Sequence, residues 1–228
     1  MTGAGPRPRQ DGVRCLSPKG FHRMAYTEWG AADAERVVLC VHGLTRSGRD
    51  FDRLAAALAT AGCRVVCPDV VGRGSSDWLA DPKGYGYVQY LADMTVLIAR
   101  LEAEALDFLG TSMGGLIGMM LAAQAGTPVR RLVMNDVGPF IPKAALARIA
   151  SYAGRDPRFA DAAAAEAYVR GIHEGFGELG DADWRHLSET SVVAAQAGAG
   201  LRLRYDPAIG AAFRDRPVED LDLWPVWD

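Results

Sequence analysis

The stretch DFLGTSMGGLIGMM, Asp107–Met120, decides the fold. It opens as a short apolar strand, passes through a serine set among glycines, and continues with apolar residues at helical spacing. Gly110-Thr111-Ser112-Met113-Gly114 is a G-x-S-x-G pattern, followed by Gly115. In a chain with 26 glycines among 228 residues such a pattern arises by chance roughly 0.1 times, so its context must decide its meaning. A sharp strand-to-helix turn strains the serine's backbone, and small residues two before and two after it let the two arms approach. The hydroxyl then projects above the carboxyl ends of the strands, where open α/β sheets bind ligands. The next helix aims its free N–H groups and positive dipole end at the same spot. The competing reading is a glycine-rich turn that cradles phosphate. A dinucleotide fingerprint wants glycine at the serine position and a P-loop wants Gly-Lys-Ser/Thr; position 112 and its surroundings offer neither. Ser112 is therefore the candidate nucleophile.

Working outward, strand and helix patterns alternate. HRMAYTEWG (22–30) reads as an early strand. RVVLCVHG (36–43) is a continuous apolar run, as expected of a strand buried on both faces of a parallel sheet. DFDRLAAALATAG (50–62) has helical spacing with a glycine stop, RVVCPD (64–69) is a second buried strand, and VGRGSSDW (71–78) is a glycine-rich loop. A long helix over 87–105, a strand over 106–110, a helix over 113–125 and a strand over 129–136 follow. This alternation predicts an α/β fold with a mostly parallel central sheet and flanking helices. From Pro139 the texture changes to Ala-rich helical stretches joined by Gly. The expected organisation is a disordered lead-in over 1–19, an α/β core over 20–138, a helical cap over 139–215, and a lead-in to a further core strand over 216–228.

Composition excludes several classes. Apolar residues make up 49%, charged residues 23%, and the net charge is −3 without a basic block; nucleic acid is not an expected partner. Apolar runs are far short of the roughly 20 residues that span a bilayer, so no membrane partner is expected. The polar start MTGAGPRPRQDG has no apolar segment of the kind a secretory signal needs. The four cysteines, Cys15, Cys40, Cys63 and Cys67, form no C-x-x-C pair or Cys/His cluster in the sequence. No metal or cofactor is expected, and the pattern suits a reduced, cytoplasmic setting.

Three stretches, VHGLTRSGRDF, PDVVGRGSSD and LGTSMGGLIGMMLA, occur in an order and spacing that resemble the α/β-hydrolase fold superfamily, and LVMNDVGP is similar to its strand after the nucleophile helix. The likeness covers about residues 20–228. It implies that the HG turn shapes an oxyanion hole whose backbone donors are Leu44 N–H and Met113 N–H, and that the insert after Pro139 caps a small-molecule acyl substrate. The aromatics Tyr152, Phe159, Tyr168, Phe176 and Trp184 suggest a partly apolar pocket there, although aromatics in helices more often serve as core. It further implies that His42 supports its loop rather than taking a proton.

Serine needs a base, and the fold's chain order is Ser, then Asp or Glu, then His. Only His173 and His186 follow Ser112, both in cap-like helical sequence. Asp136, just past a strand, is a possible alternative acid or a turn residue that satisfies nearby N–H groups. Asp206 reads as a turn residue ahead of a helix. DLDLWPVWD (220–228) resembles the lead into a further core strand, so the simplest expectation places the acid and the histidine beyond Asp228. A serine at the elbow disfavours dehalogenase and epoxide hydrolase chemistry, which the resemblance assigns to Asp, and favours acyl transfer to water from an ester, lactone or thioester. Serine-type C–C hydrolysis, cofactor-free haloperoxidase chemistry and a non-catalytic ligand- or partner-binding role stay open.

Overall fold

Val37–Val41 (β3) is buried at all five positions. Its side chains alternate between two apolar layers. Val37, Leu39 and Val41 pack with Met94, Leu97, Phe108 and Ile117 on one face. Val38 and Cys40 pack with Phe51, Ala55, Cys63 and Val65 on the other. Burying each such aliphatic side chain contributes about 1.5–3 kcal/mol, so an unbroken apolar run with period two is stable only between two covering layers. The structure, a computed structural model, describes residues 7–195, 200–214 and 218–227. Its central sheet has six strands: Arg9–Ser17 (β1), Gly20–Trp29 (β2), β3, Arg64–Pro68 (β4), Leu106–Thr111 (β5) and Val129–Asn135 (β6). Their order is β1-β2-β4-β3-β5-β6. β4, β3, β5 and β6 run parallel, and β2 joins β4 antiparallel. Asp52–Thr60 (α1), Tyr87–Leu101 (α2) and Met113–Ala122 (α3) are the crossover helices. α2 stops short of the expected 105 because Glu102 turns left-handed, with φ 53°.

The expected disordered lead-in needs correction. Arg9–Ser17 is a nine-residue strand paired with β2 along its whole length, from Arg9↔Glu28 to Ser17↔Gly20. Its polar residues conceal a sparse inward set: only Val13 and Cys15 are buried, as on an edge strand with one solvated face. Residues 1–6 of that segment lie outside the described residues.

Beyond β6 the chain forms Phe140–Ile141 (β7), Lys143–Tyr152 (α4), Arg158–Phe159 (β8), Ala162–Ile172 (α5), Asp181–Ser191 (α6), Val192–Ala194 (β9), Leu201–Leu203 (β10), Ala211–Arg214 (α7), Leu221–Asp222 (β11) and Trp224–Trp227 (α8). Asp161 caps α5 by accepting from Ala164 N–H at 2.8 Å. The helical expectation for this region is incomplete, because β8, β10 and β9 make a small antiparallel sheet. Strands of two or three residues are too short to show a period. Leu221–Asp222, within the expected lead-in, pairs with Phe140–Ile141 and does not join the central sheet. Residues 215–217, at the expected boundary, and Asp228 lie outside the described residues. No described helix is long and apolar enough to cross a membrane.

Candidate active site

The strand order reverses between β3 and β5. From β3 the chain crosses to β4 on one side, then returns to place β5 on the other. Loops leaving the carboxyl ends of these two strands diverge there and open a crevice, the usual ligand site of open α/β sheets. His42-Gly43-Leu44 leaves β3 and Ser112 leaves β5 at this point.

Ser112 has φ 51° and ψ −116°, a positive φ that non-glycine residues adopt only when their surroundings impose it. Two glycines explain how the turn closes. A Cβ on Gly110 would stand 2.3 Å from the backbone of Gly114, and one on Gly114 would stand 2.0 Å from the Val41 carbonyl oxygen. Only a hydrogen at both positions lets α3 start directly above β5 and against the end of β3. Ser112 N–H donates to Asn135 O at 2.9 Å and Ser112 O accepts from Leu116 N–H at 3.1 Å, which fixes the elbow from both sides. The position of Gly43 is 3.7 Å from Ser112 Cβ, measured from an ideal Cβ, so the β3 turn lies against the serine. Among the described residues, neither Leu44 N–H nor Met113 N–H donates to another backbone group.

Arg73, which the sequence reading passed over, holds this side of the site. It is fully buried. Its guanidinium donates to Leu44 O at 2.8 Å, Val71 O at 2.7 Å and the Tyr90 hydroxyl at 3.0 Å, and reaches Met113 Sδ at 3.6 Å. Its charge lies 5.0 Å from the Tyr90 ring centroid. One cation thus touches both residues expected to supply oxyanion donors. The available signal was an arginine between two glycines, Gly72-Arg73-Gly74, in the glycine-rich loop over 71–78. Asp69, at the head of the same loop, accepts from Gly48 N–H and Ser75 N–H, both at 2.8 Å.

The histidines stand elsewhere. His42 is fully buried; its Nδ1 donates to Gly43 O at 2.7 Å and its Nε2 accepts from Val70 N–H at 2.9 Å. That pattern requires the neutral ring, and burial lowers its pKa to about 4. His42 therefore braces the loop, as expected. His186 Nε2 donates to Arg49 O at 3.2 Å and lies 3.2 Å from Asp52. His22 pairs with Asp93 at 2.9 Å. His173 is 7% exposed, stacks on Phe176 with ring centroids 4.4 Å apart, and is held neutral, its pKa lowered to about 4 by burial and then by the charge of Arg46. No histidine nitrogen hydrogen-bonds to Ser112. Asp136 is exposed, has φ 55°, and follows directly on Asn135, which anchors Ser112 N–H. Asp206 caps a 3-10 turn and accepts from Tyr85 OH at 2.6 Å.

A cleft lined by residues from the β3 turn and from the region after β6 begins one turn from the serine. Arg46 N–H donates to Gly43 O at 3.1 Å, and the two ends of such a turn are within about 7 Å of each other. Gly43 faces Ser112, while Thr45 and Arg46 line the cleft together with Tyr152, Tyr168, His173 and Ser191. Phe159 and Trp184, also expected at a pocket, are buried but do not line it.

The separation of cysteines from histidines in the sequence does not survive folding. Cys15 and His22 are cross-strand partners, and with Asp93 of α2 they bring three potential ligand atoms within 4.8 Å of one another. Asp93 accepts from His22 and, at 2.7 Å, from Gln89, so the group works as a buried polar tie between the hairpin and α2.

Comparison with known proteins identifies the fold. The sequence model of the α/β hydrolase fold matches residues 36–173. The chain is 50% identical over 214 residues to the 3-hydroxybutyrate-oligomer hydrolase of Cupriavidus necator, covering 93% of this chain and 73% of that protein. A solved α/β hydrolase from Novosphingobium aromaticivorans superposes with a TM-score of 0.82 at 32% identity, over 98% of this chain and 77% of the other. A Rickettsia typhi protein assigned provisionally as a hydrolase gives 0.88 at 32% identity, over 97% and 77%. The chain belongs to the α/β-hydrolase fold family, and hydrolysis is the activity this kinship supports.

Proposed function

We propose that the protein is a serine hydrolase that cleaves small carboxylic esters through an acyl-enzyme on Ser112, and that its substrates are esters of hydroxyacids. The observation that carries the first half is the strained Ser112 conformation at a glycine-closed elbow facing the β3 turn. The second half rests on likeness to the 3-hydroxybutyrate-oligomer hydrolase.

In this reading Ser112 Oγ attacks the ester carbonyl and a C–O bond forms. Leu44 N–H and Met113 N–H hold the oxyanion, each donor being worth about 3 kcal/mol in the transition state. The ester C–O bond then breaks, and the proton from Oγ leaves with the alcohol by way of a general base. Water releases the acid by the same steps in reverse roles. No histidine nitrogen hydrogen-bonds to Ser112, so turnover needs a base that these 228 residues do not place at Ser112. Asp136, which follows β6 directly after the residue that anchors Ser112 N–H, is retained as a possible triad acid.

The test is hydrolysis of 3-hydroxybutyrate dimer by the protein expressed from its natural gene, with Ser112→Ala in parallel. Turnover lost by roughly 1,000-fold or more in the variant supports the reading. Turnover that survives Ser112→Ala overturns it. Ester turnover by the 228-residue chain that disappears in His173→Ala or His186→Ala would show that the base had been misplaced here.

A further inference from the structure

We infer that Cys15, His22 and Asp93 form a site for a divalent, thiophilic cation of the Zn²⁺ class, which clamps the β1–β2 hairpin to α2. The site is structural rather than catalytic: in the central sheet β2 is separated by β4 and β3 from β5, the strand that leads to Ser112. It is independent of the ester-hydrolase reading.

The register of the hairpin sets two of the donors side by side. Cys15 and His22 are direct cross-strand partners, and such residues point to one face with Cβ atoms about 5 Å apart. α2 covers that face and brings Asp93 onto it, 2.9 Å from His22 Nε2. Cys15 Sγ, a His22 ring nitrogen and an Asp93 carboxylate oxygen all lie within 4.8 Å of one another. The three residues are 1%, 5% and 0% exposed. Donors on a shared Zn²⁺ stand about 3.5 Å apart, given bonds of about 2.0–2.3 Å, so a side-chain shift of roughly 1 Å brings these onto one cation. Gln89, one turn before Asp93, donates to Asp93 Oδ1 at 2.7 Å and to Leu16 O at 3.0 Å. Outer hydrogen bonds of this kind orient a metal-binding carboxylate.

The chemistry of the trio selects the ion. His22 Nδ1 is buried without a hydrogen-bond partner among the described residues. A neutral ring donating from Nε2 to Asp93 therefore keeps a lone pair that no protein donor meets, and a charged ring keeps an N–H that no acceptor meets. A cation is the occupant that takes such a lone pair, and a carboxylate on the ring's other nitrogen is the usual support of a metal-bound histidine. Thiolate sulfur and imidazole nitrogen suit Zn²⁺, whereas Ca²⁺ and Mg²⁺ take oxygen donors. Charge agrees as well. A Cys15 thiolate and the Asp93 carboxylate cancel a divalent cation, as a buried site demands. On binding, the cation replaces the Cys15 thiol proton, which passes to solvent.

The test is a titration of the natural-gene protein, first treated with a chelator, with Co²⁺ as the coloured substitute for Zn²⁺. We expect one equivalent to bind with thiolate-to-cobalt charge-transfer absorption in the near ultraviolet, bleached when Zn²⁺ is added. Cys15→Ser should abolish the absorption, Asp93→Asn should weaken binding by roughly 10–100-fold, and Cys63→Ser should leave both unchanged. Zn²⁺ should also shift the His22 ring resonances in NMR and raise the unfolding midpoint with its concentration. Absence of the charge-transfer band, its persistence in Cys15→Ser, or Zn²⁺ binding that leaves the His22 signals unmoved overturns the inference and leaves the trio a polar tie. The wild-type spectra decide the matter even where Cys15→Ser does not fold. None of these readouts involves Ser112, so the site and the hydrolase reading stand or fall separately.

Discussion

The two flanks of Ser112 are built differently. On the β3 side three polar side chains are buried and paired: His42 spans Gly43 and Val70, Asp69 holds Gly48 and Ser75, and Arg73 ties Leu44 to Val71 and Tyr90. On the β6 side, Asn135 and Asp136 are exposed, and the outer edge of β6 has no strand partner among the described residues. The first flank has the construction needed to hold two N–H donors still against a developing charge, since preorganised dipoles stabilise a transition state only when they do not have to reorganise. The second offers nothing rigid to orient a base. On the proposed reading, anion stabilisation belongs to the enclosed flank and proton transfer to the open one.

The rigid flank can be broken most severely at its glycines. Gly114→Ala places a Cβ about 2.0 Å from the Val41 carbonyl oxygen, with no flexible side chain to yield. We predict a loss of more than about 4 kcal/mol in urea unfolding, or failure to fold. Gly138→Ala, where nothing lies within 4 Å, should change stability by less than about 0.5 kcal/mol. Comparable losses at the two positions would contradict the close approach of α3 to β3.

Arg73→Met leaves two buried carbonyls and a phenol without their donor. The expected cost is about 3 kcal/mol, with probe labelling of Ser112 slowed at least tenfold. Arg73→Lys should not rescue labelling, because an ammonium cannot copy the planar fork that spans these acceptors. Full rescue by lysine would mean that charge alone matters.

Acid should loosen both the rigid flank and the helical region after β6 that carries His173. His42 and His173 are neutral in the fold with pKa near 4, against 6.5 for the free side chain. Between pH 6.5 and about 4 the unfolded chain therefore binds more protons, and stability falls as pH is lowered through that window. Each histidine contributes up to about 3 kcal/mol. Asp69 and Asp93, raised by burial, oppose this in the lower part of the range, so the net loss is smaller than the sum. Urea unfolding at pH 7 and 4.5 measures it, and His173→Phe should flatten the dependence.

The open flank can be sharpened with a smaller change. Val133 is 53% exposed on the edge strand, and apolar edge strands associate. For the 228-residue chain we predict concentration-dependent association by light scattering, reduced in Val133→Lys with little change in unfolding free energy. Unchanged association would direct attention to another surface.

The difference between the flanks also explains what could be read in advance. The core strands and helices were legible because burial on two faces and helical spacing leave long periodic signatures, as in RVVLCVHG and residues 87–101. Ser112 was legible because its turn demands glycine at fixed offsets. Arg9–Ser17 was missed because an edge strand with one wet face needs only two buried residues. The Arg73 contacts and the Cys15–His22–Asp93 group were not legible. Each depends on residues brought together from distant elements, and local pattern does not encode that.

The central claim is that Ser112 is an activated nucleophile. Its most direct test is intact mass spectrometry of the natural-gene protein after exposure to a fluorophosphonate probe, followed by peptide mapping. A single adduct, located on Ser112 and absent from Ser112→Ala, is the predicted result. An unmodified protein, or an adduct that persists in Ser112→Ala, would contradict it.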